Sequence, residues 1–500
     1  MSTAVAARVE AVLARLRGRQ IHVLGPSGTE GSAVLDFLLA HGITPITAHD
    51  LEPAARFAAT VDRTHPWLDP AGRAALVARL RAGPVAWRQG PRYLEGLEQA
   101  EIVFAPQSWF RYPQNAPVRA AVARGIPLWS LTRLCFEVHP GPVLGVTGTN
   151  GKFTVVTLLG AMLEAAGIPA VVSGNDRTHV PAVYALERLT PQTWLVLELS
   201  NRQLVGLPYS PHVAVVTNIA AHHLDDHGSL EAYVEAKRTI VRHQRATDHA
   251  VLNADDPLVA GMASGLAAQV HWFSRRRAVA PGAYLADGWL VLAGRQPVRV
   301  LEAAALAVPG DHMVENALAA MAAAAVAGVP PEAMAQALRA FRGLPYRCRL
   351  VAERGGVAFY EDSLATNPAA AAAAIRSMRR PVHLIAGGYR RAPRVEEFRP
   401  MGEALAAIPT RGVYLIGAAA PVLAAALAPL AQARGVGVVQ AQTLERAVAA
   451  AWAAARPGEA VLLSPGCESF DQFADYRERG DRFVHLVEAL PAQAAWEAGR

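Results

Sequence analysis

The sequence predicts an α/β protein with three domains, each built on a sheet of its own. Three observations support this prediction. Runs typical of strands alternate with runs typical of helices along almost the whole chain. Strand runs such as "TWLVLELS" and "PHVAVVTN" are apolar throughout, which is typical of strands buried on both faces of a parallel sheet. At 500 residues, the chain is also too long for one ordinary core.

The first predicted domain covers residues 1–141. Its N-terminal residues read as an amphipathic helix rather than a targeting segment, because they lack an apolar core. "IHVLG" (21–25) predicts a strand before a helix from about Glu30, and "AEIVFAP" (100–106) predicts a strand before a helix from about Ala116. The "HPGP" turn marks the end of this domain.

The second predicted domain covers residues 142–343, and the third covers residues 344–500. "PVLGVTG" predicts a strand that leads into a helix. Five apolar side chains share one face of that helix: Val155, Leu158, Leu159, Met162 and Leu163. Short strands and turns follow between about 270 and 300. In the third domain, four strand runs each precede a helix, and Asp471 is expected to cap or charge-match the last helix.

Composition narrows the class of partners. The formal charge of +6 comes mostly from scattered arginines and suits anionic substrates such as nucleotides, but no aromatic-studded basic groove indicates nucleic acid. The longest apolar run, around 317–329, is too short to span a membrane. Three widely spaced cysteines, Cys135, Cys348 and Cys467, argue against a disulfide framework and for a reducing compartment.

"GVTGTNGKFT" (145–154) is the most specific local motif. Its glycines allow a loop to curl with backbone N–H groups turned toward phosphate oxygens, and Lys152 adds a positive charge at the start of the following helix. The next position, Phe153, stands where such loops carry a hydroxyl for magnesium. The strand before the loop and the helix after it favour a phosphate site over a chance glycine turn.

Acidic and histidine residues follow two neighbouring strand runs. Glu198 ends "LVLELS", at the edge where α/β sheets bind ligands, although a capping or salt-bridged glutamate is an equal alternative. "TNIAAHHLDDH" (217–227) clusters histidines and aspartates that can hold a divalent cation. Lys237, taken alone, reads as a surface lysine of a helix.

These motifs together resemble those of the Mur ligases, along almost the whole chain. "GVTGTNGK", "LELSNRQL" (family pattern E-L-S-S-F-Q-L), "TNIAAHHLDDH", "GDHMVENALAA", "GLPYRCRL", "EDSLATNPAA" and "LLSPGCESFDQF" are each similar to a family segment. The resemblance implies a Rossmann-like N-terminal domain, a central P-loop ATPase-like domain and a Rossmann-like C-terminal domain.

The resemblance also implies roles for individual residues. The catalytic set would be Lys152, Glu198, His223 and Lys237. Magnesium would be bound by Glu198, His223 and Lys237, the lysine being carboxylated. ATP would be bound by Gly148, Thr149, Asn150, Gly151, Lys152, Thr154, Asn316, Arg347 and Asp362. Substrates would be bound by Asp50, Asn175, Ser200, Thr366, Ser469 and Phe470. Apart from the resemblance, Tyr476 at the start of the last helix is a further candidate contact for a small polar ligand, with capping and core packing as the alternative.

The activity that the resemblance implies is an ATP-dependent, ADP-forming ligase of peptidoglycan precursor synthesis. ATP and Mg²⁺ would serve the formation of an acyl phosphate, and glutamate would be added to a UDP-N-acetylmuramoyl-alanine acceptor. We expect a cytoplasmic monomer whose partners are this UDP-muramoyl precursor and the amino acid, with no nucleic acid and no membrane involved.

Several positions depart from the family pattern. Phe153, His222, Met313, Tyr346 and Leu364 each replace a residue of the family motifs, and "APQSWF" stands where the family has a serine-proline-glycine turn. These changes leave two alternatives open. One is a divergent ligase with another acceptor or amino acid, and the other is a nucleotide-binding protein without turnover.

Overall fold

The computed structural model describes residues 1–174, 180–220 and 229–491. It contains three sheets with helices packed on them, so the predicted α/β class is confirmed. The chain divides into two compact units. Unit 1 comprises Met1–Leu301 and Glu315–Leu338, and unit 2 comprises Glu302–Val314 and Arg339–Arg500. The domain boundaries at 141 and 343 stay predictions.

The first sheet lies in unit 1 and is parallel, with strand order β3-β2-β1-β4-β5. Its strands are β1 (Ile21–Leu24), β2 (Ile46–Asp50), β3 (Val85–Gln89), β4 (Ile102–Phe104) and β5 (Leu128–Trp129). Its helices are Thr3–Leu16, Thr29–Ala40, Phe57–Thr64, Pro70–Ala82, Ala116–Ala123 and Leu131–Val138. The predicted helix starts near Glu30 and Ala116 are therefore confirmed.

The second sheet, also in unit 1, has the order β14-β13-β12-β11-β10-β9-β6-β8-β7. Its strands are β6 (Val143–Thr147), β7 (Ala170–Ser173), β8 (Trp194–Glu198), β9 (Val213–Val216), β10 (His249–Asn253), β11 (Gln269–Ser274), β12 (Gly282–Ala286), β13 (Trp289–Ala293) and β14 (Val298–Glu302). The helices of this part are Lys152–Ala165, Asn201–Leu204, Leu230–Arg242, Pro257–Ala260, Asp311–Val326 and Pro331–Ala340.

This strand order positions the site. β6 lies between β8 and β9 and is parallel to both, so the carboxyl ends of these three strands meet at one edge. The phosphate loop, Glu198 and Thr217 all follow those ends. The helix after β6 buries all five side chains that the periodicity assigned to one face, which anchors it against the sheet.

The third sheet lies in unit 2, with order β15-β16-β20-β17-β18-β19. Its strands are β15 (Arg349–Arg354), β16 (Val357–Glu361), β17 (Val382–Gly387), β18 (Thr410–Ile416), β19 (Gly437–Gln442) and β20 (Ala460–Leu463). Its helices are Pro368–Ser377, Arg399–Ala407, Ala420–Arg434, Leu444–Ala454 and Tyr476–Glu488. Only β15 and β16 pair antiparallel among the described pairs of this sheet.

The expected cap of the last helix is wrong. The Asp475 carboxylate accepts hydrogen bonds from Arg477 N and Glu478 N, 2.8 and 3.0 Å away, and caps the helix. Asp471 accepts from Ala418 N at 2.8 Å instead. Both aspartates precede the helix. Because the helix begins at Tyr476, Asp475 is in the capping position and Asp471 is too far upstream to cap it.

Among the described residues, no helix has both the length and the apolar character needed to cross a membrane. The alanine-rich helix Asp311–Val326 has 16 residues, and most of them pack inside the protein.

Candidate active site

The loop 148–151, which joins β6 to the helix at Lys152, is built around two glycines with positive φ. Gly148 has φ 149° and Gly151 has φ 84°. A Cβ on Gly148 would overlap the Thr217 hydroxyl, and one on Gly151 would overlap the Asn316 side-chain oxygen. Only glycine suits both positions, and the loop keeps a concave backbone that fits phosphate oxygens. Asn316 is buried against this loop, and its ATP role stays a prediction.

The loop is held by the segment that follows β9. Thr149 N donates to Asn218 O at 2.8 Å, and Asn150 N donates to Asn218 Oδ1 at 2.9 Å. The Thr217 hydroxyl donates to Asn150 O at 2.6 Å. Sequence reasoning missed Asn218. Its side chain binds the backbone of Asn150, about 70 residues earlier in the chain, and such a long-range bond leaves no local sequence pattern.

Lys152 folds back over the loop. Its Nζ donates to Gly148 O at 3.1 Å and to Thr149 O at 3.0 Å. The ammonium therefore lies against the backbone of the loop, and its contact with nucleotide phosphates stays a prediction. Thr154, half-buried in the first turn of the helix, offers a hydroxyl one residue beyond the position that Phe153 occupies.

Lys237 is not a surface residue. Only 1% of it is exposed, and its Nζ donates to Gly148 O at 2.8 Å. The Nζ also lies 4.7 Å from the centre of the Tyr233 ring. Burial, with a smaller contribution from Lys152, lowers the pKa of Lys237 to about 7, while Glu198 opposes this shift. The interpretation of Lys237 as a surface lysine is therefore wrong. Its amine is buried and hydrogen-bonded to the phosphate loop.

Both lysines of the chain lie at this loop. The 500 residues contain only two lysines, at 152 and 237, against 46 arginines. Each donates to the same carbonyl, Gly148 O. The lysine count was the signal in the sequence that could have identified Lys237, because arginine cannot supply a neutral amine.

Glu198 ends β8 beside β6, and only 8% of it is exposed. Ser200 begins a capping box with Gln203. The Ser200 hydroxyl also donates to Gln107 Oε1 at 2.5 Å. Ser200 thus fixes the short helix Asn201–Leu204 to the loop after β4, and its predicted substrate contact stays a prediction.

Of the predicted metal ligands, the structure describes Glu198 and Lys237. His223 lies within 221–228, outside the described residues, and Asn175 lies outside them as well. Within the described ranges, no three His, Cys, Asp or Glu side chains form a metal-binding group. Glu198 and Lys237 fit a divalent cation once the lysine is carboxylated, since both would then present oxygen ligands.

Two adjoining cavities of unit 1 form what we call the acceptor channel. The first, of about 390 Å³, is lined by Asp50, and the second, of about 290 Å³, reaches Glu198. The two cavities share Thr29, Glu30, Gln107 and Ser108. The first also includes Tyr93, Trp109, Tyr112 and Asn115, and the second also includes Thr132, Cys135, Ser173 and Arg202. The channel runs from β2 toward the phosphate-loop edge.

Two acids in the channel are buried. Asp50 accepts from Ser27 N, Ser27 Oγ and Glu52 N at 2.6, 3.0 and 2.9 Å, while burial raises its pKa. Its carboxylate therefore fixes the turn after β1 as well as lining the cavity. Burial raises the pKa of Glu30 to about 7, although the carboxylate accepts from Gln107 N at 2.6 Å.

In unit 2, most predicted residues follow the carboxyl ends of β16 and β20, which are parallel neighbours, whereas Arg347 lies just before β15. Asp362 accepts from Ser464 Oγ at 2.7 Å and from Cys348 N at 3.1 Å, and burial raises its pKa to about 7. The remaining predicted residues range from buried to exposed: Ser469 is buried, Thr366 and Tyr476 are half-buried, and Arg347 and Phe470 are exposed. Tyr476 packs edge-on against Tyr346, with ring centres 5.6 Å apart.

Sequence reasoning missed Arg479, which organises this edge. Its guanidinium is fully buried and donates to Ser363 Oγ, Ser363 O, Cys467 O and Glu468 O, at 2.9 to 3.1 Å. Burial lowers its pKa to about 10, so it stays charged at neutral pH. One side chain thus ties the turn after β16 to the turn after β20.

Arg479→Ala is expected to destabilise unit 2 by about 3 kcal/mol or more, because three buried acceptors, Ser363 Oγ, Ser363 O and Cys467 O, lose this donor. Urea unfolding measures the loss. Arg482→Ala is the matched control on the same helix, since its pair with Glu445 is exposed and worth at most about 1 kcal/mol. Equal effects of the two substitutions would show that Arg479 has no special structural role.

Comparison with known proteins agrees with this geometry. The Mur ligase middle domain matches residues 146–324, and the Mur ligase glutamate ligase domain matches residues 346–467. The UDP-N-acetylmuramoylalanine–D-glutamate ligase of Acidobacterium capsulatum is 36% identical over 96% of this chain and 99% of its own. The enzyme of the same name from Symbiobacterium thermophilum is 37% identical, over 93% and 96% of the two chains.

Solved structures share the fold. The UDP-N-acetylmuramate-alanine ligase of Thermotoga maritima has a TM-score of 0.53 at 17% identity, covering 94% of this chain and 99% of its own. MurF from Acinetobacter baumannii has a TM-score of 0.54 at 18% identity, covering 93% of each chain. With a phosphate loop of this shape and relatives that match nearly end to end, the chain belongs to the Mur ligase family of ATP-dependent ligases.

Proposed function

We propose that this chain joins D-glutamate to UDP-N-acetylmuramoylalanine in an ATP-dependent, ADP-forming reaction. The observation that carries the proposal is the position of the acceptor channel, which ends at Glu198 beside the loop that holds Lys152 and Lys237. The names of the relatives supply the two substrates. We place the reaction in the cytoplasm and expect the monomer to be active.

The reaction proceeds in two displacements. An acceptor carboxylate oxygen attacks the γ-phosphorus of ATP, and ADP leaves as an acyl phosphate forms. The glutamate amine then attacks the acyl carbon, phosphate leaves, and the amine loses a proton as the amide forms. Neither step requires a nucleophilic side chain, so positioning and charge neutralisation account for catalysis.

The residues of the chain divide this work. Backbone N–H groups of the loop and the Lys152 ammonium neutralise phosphate charge. Glu198 and carboxylated Lys237 would hold Mg²⁺, which supplies further charge neutralisation at the phosphates. From the family resemblance, we assign Arg347 and Asp362 to the nucleotide. We assign Thr366, Ser469 and Phe470 to glutamate on the same ground, and Tyr476, which begins the last helix, is a further candidate contact.

The acceptor channel suits a long substrate with a nucleotide at one end and a carboxylate at the other. Asp50 and the aromatic side chains of the first cavity would receive the uridine. The shared residues at the junction, where the helix Thr29–Ala40 begins, would receive the diphosphate, because a helix N-terminus favours anions.

Release of ADP tests the proposal. We expect release to require both UDP-N-acetylmuramoylalanine and D-glutamate, and the amide product to appear in equal amount by mass spectrometry. Turnover with another acceptor or amino acid, but not with this pair, would favour the divergent ligase. ATP binding without any turnover would favour the non-catalytic alternative.

Phe153→Thr is expected to lower the Mg²⁺ concentration that gives half-maximal activity several-fold, because it restores a hydroxyl beside the phosphate site. Phe153 is half-buried, so the loss of its ring costs less stability than a core phenylalanine would. Phe153→Ala is the control that removes the ring without adding a hydroxyl. Identical Mg²⁺ dependence in both variants and the wild type would make the missing hydroxyl irrelevant.

A further inference from the structure

Arg202 is the sole arginine or lysine among the described residues that line the acceptor channel. The other formally charged side chains of that lining are acids: Glu30, Asp50, Glu52 and Glu198. The substrate proposed for this channel carries a diphosphate and a carboxylate. Ionised acids repel such a molecule, so among the described residues Arg202 is the lining side chain whose positive charge attracts its anionic groups.

Arg202 is held on a fixed support. The helix Asn201–Leu204 begins three residues after Glu198 and starts with the Ser200–Gln203 capping box. The Ser200 hydroxyl binds Gln107, whose own backbone N–H binds Glu30. The segment that carries Arg202 is therefore anchored to the loop after β4 and, through Gln107, to the first turn of the helix Thr29–Ala40.

The two sequence departures on this surface meet at one place. Arg202 stands where the family pattern E-L-S-S-F-Q-L has phenylalanine, and Gln107 belongs to "APQSWF", which replaces the serine-proline-glycine turn. The structure brings both into the second cavity. A guanidinium at this position supplies charge-assisted donors for an anion, which an aromatic ring does not.

We propose that Arg202 is a specificity-determining residue that binds the reactive carboxylate of the acceptor. The carboxylate is preferred over the diphosphate because Arg202 lines the cavity that contains Glu198 and not the cavity that contains Asp50. The guanidinium fork matches two carboxylate oxygens and would hold one of them toward the phosphate loop. This inference rests on the proposed function.

Steady-state kinetics of Arg202→Ala and Arg202→Lys test the proposal in the full-length enzyme. We expect Arg202→Ala to raise the KM for the acceptor about 30-fold, equivalent to about 2 kcal/mol, because a charge-assisted bond is lost. KM for ATP and for glutamate should stay within about twofold, since neither substrate enters this cavity. Arg202→Lys should recover part of the loss. Arg124, at the end of the helix Ala116–Ala123, is exposed and lies outside the channel lining. Arg124→Ala is therefore the matched control and should leave all three constants unchanged.

Binding measurements without ATP separate the two anionic groups. Titrations would use UDP, UDP-N-acetylmuramoylalanine and the carboxamide of the latter, with thermal unfolding as a check that each variant folds. Loss of affinity only for the free carboxylate supports the proposal. Equal loss for UDP means that Arg202 binds the diphosphate, and no loss for any ligand means that it binds neither; both outcomes overturn the proposal. If the wild type fails to ligate this acceptor, the proposed function fails separately.

Discussion

Lys152→Ala is expected to abolish ligation, with a fall in kcat of about a thousandfold or more, because the loop loses the charge that neutralises the phosphates. The ammonium lies directly over the loop, bonded to Gly148 O and Thr149 O. Release of ADP measures activity, and thermal unfolding reports the state of the fold. Stability should change little, since the half-buried side chain packs against backbone that remains in place.

Lys152→Met serves as the control for side-chain bulk, because methionine keeps the apolar stem without the charge. Both variants should still bind the acceptor, whose channel does not include Lys152. Wild-type turnover in either folded variant would contradict the assignment of the loop.

Lys237→Ala is expected to be nearly inactive, and small carboxylic acids are expected to restore part of its activity. A plain ammonium repels Mg²⁺, whereas a carboxylated lysine is an anion with two oxygens. Carboxylation requires the neutral amine. With its pKa lowered to about 7, a large fraction of Lys237 is neutral at physiological pH, and this fraction rises with pH.

Two control substitutions, Lys237→Arg and Lys237→Met, distinguish a metal-binding role of Lys237 from a packing role. Lys237→Arg should not be rescued by carboxylates, because the guanidinium stays charged and fills the space. Lys237→Met should be inactive but more stable than the wild type at pH 7. The lowered pKa means that the folded state disfavours the protonated lysine. At pH 7 this lowers the free energy of unfolding of the wild type, and the loss is recovered only as pH rises from about 7 toward the ordinary pKa of 10.5. Methionine carries no proton and avoids this loss. Full activity of Lys237→Ala, or an inactive folded variant that no carboxylate rescues, would contradict the metal role.

Local patterns predicted the phosphate loop and its helix well. Glycine spacing, a strand before the loop and one apolar helical face are all encoded within 25 residues, and the structure buries every side chain of that face. Lys237 could not be placed in this way. Its helix has an ordinary amphipathic pattern, and its burial depends on a carbonyl 89 residues earlier in the chain.

The same reason explains the missed contacts of Asn218 and Arg479. Each binds main-chain groups of distant turns, and such bonds follow from the tertiary fold rather than from local propensity. The sequence predicted Asp471 as the cap of the last helix, because two aspartates precede that helix and the pattern does not distinguish them. The cap is Asp475, and Asp471 binds Ala418 N. Gln107 lies in "APQSWF", a stretch that departs from the family pattern, whereas Arg202 gained significance only when the structure placed both residues in one cavity.

Because both lysines of the sequence lie at one carbonyl, the protein suits site-selective chemical labelling of lysine. Amine-reactive reagents that modify many side chains in an ordinary protein would find only these two ε-amines, at 152 and 237. Burial of Lys237 leaves Lys152 as the accessible one, and a bound nucleotide would shield it. The extent of acylation at Lys152 therefore reports nucleotide occupancy. For the same reason, immobilising the protein through its lysine side chains would block the site that it is meant to display.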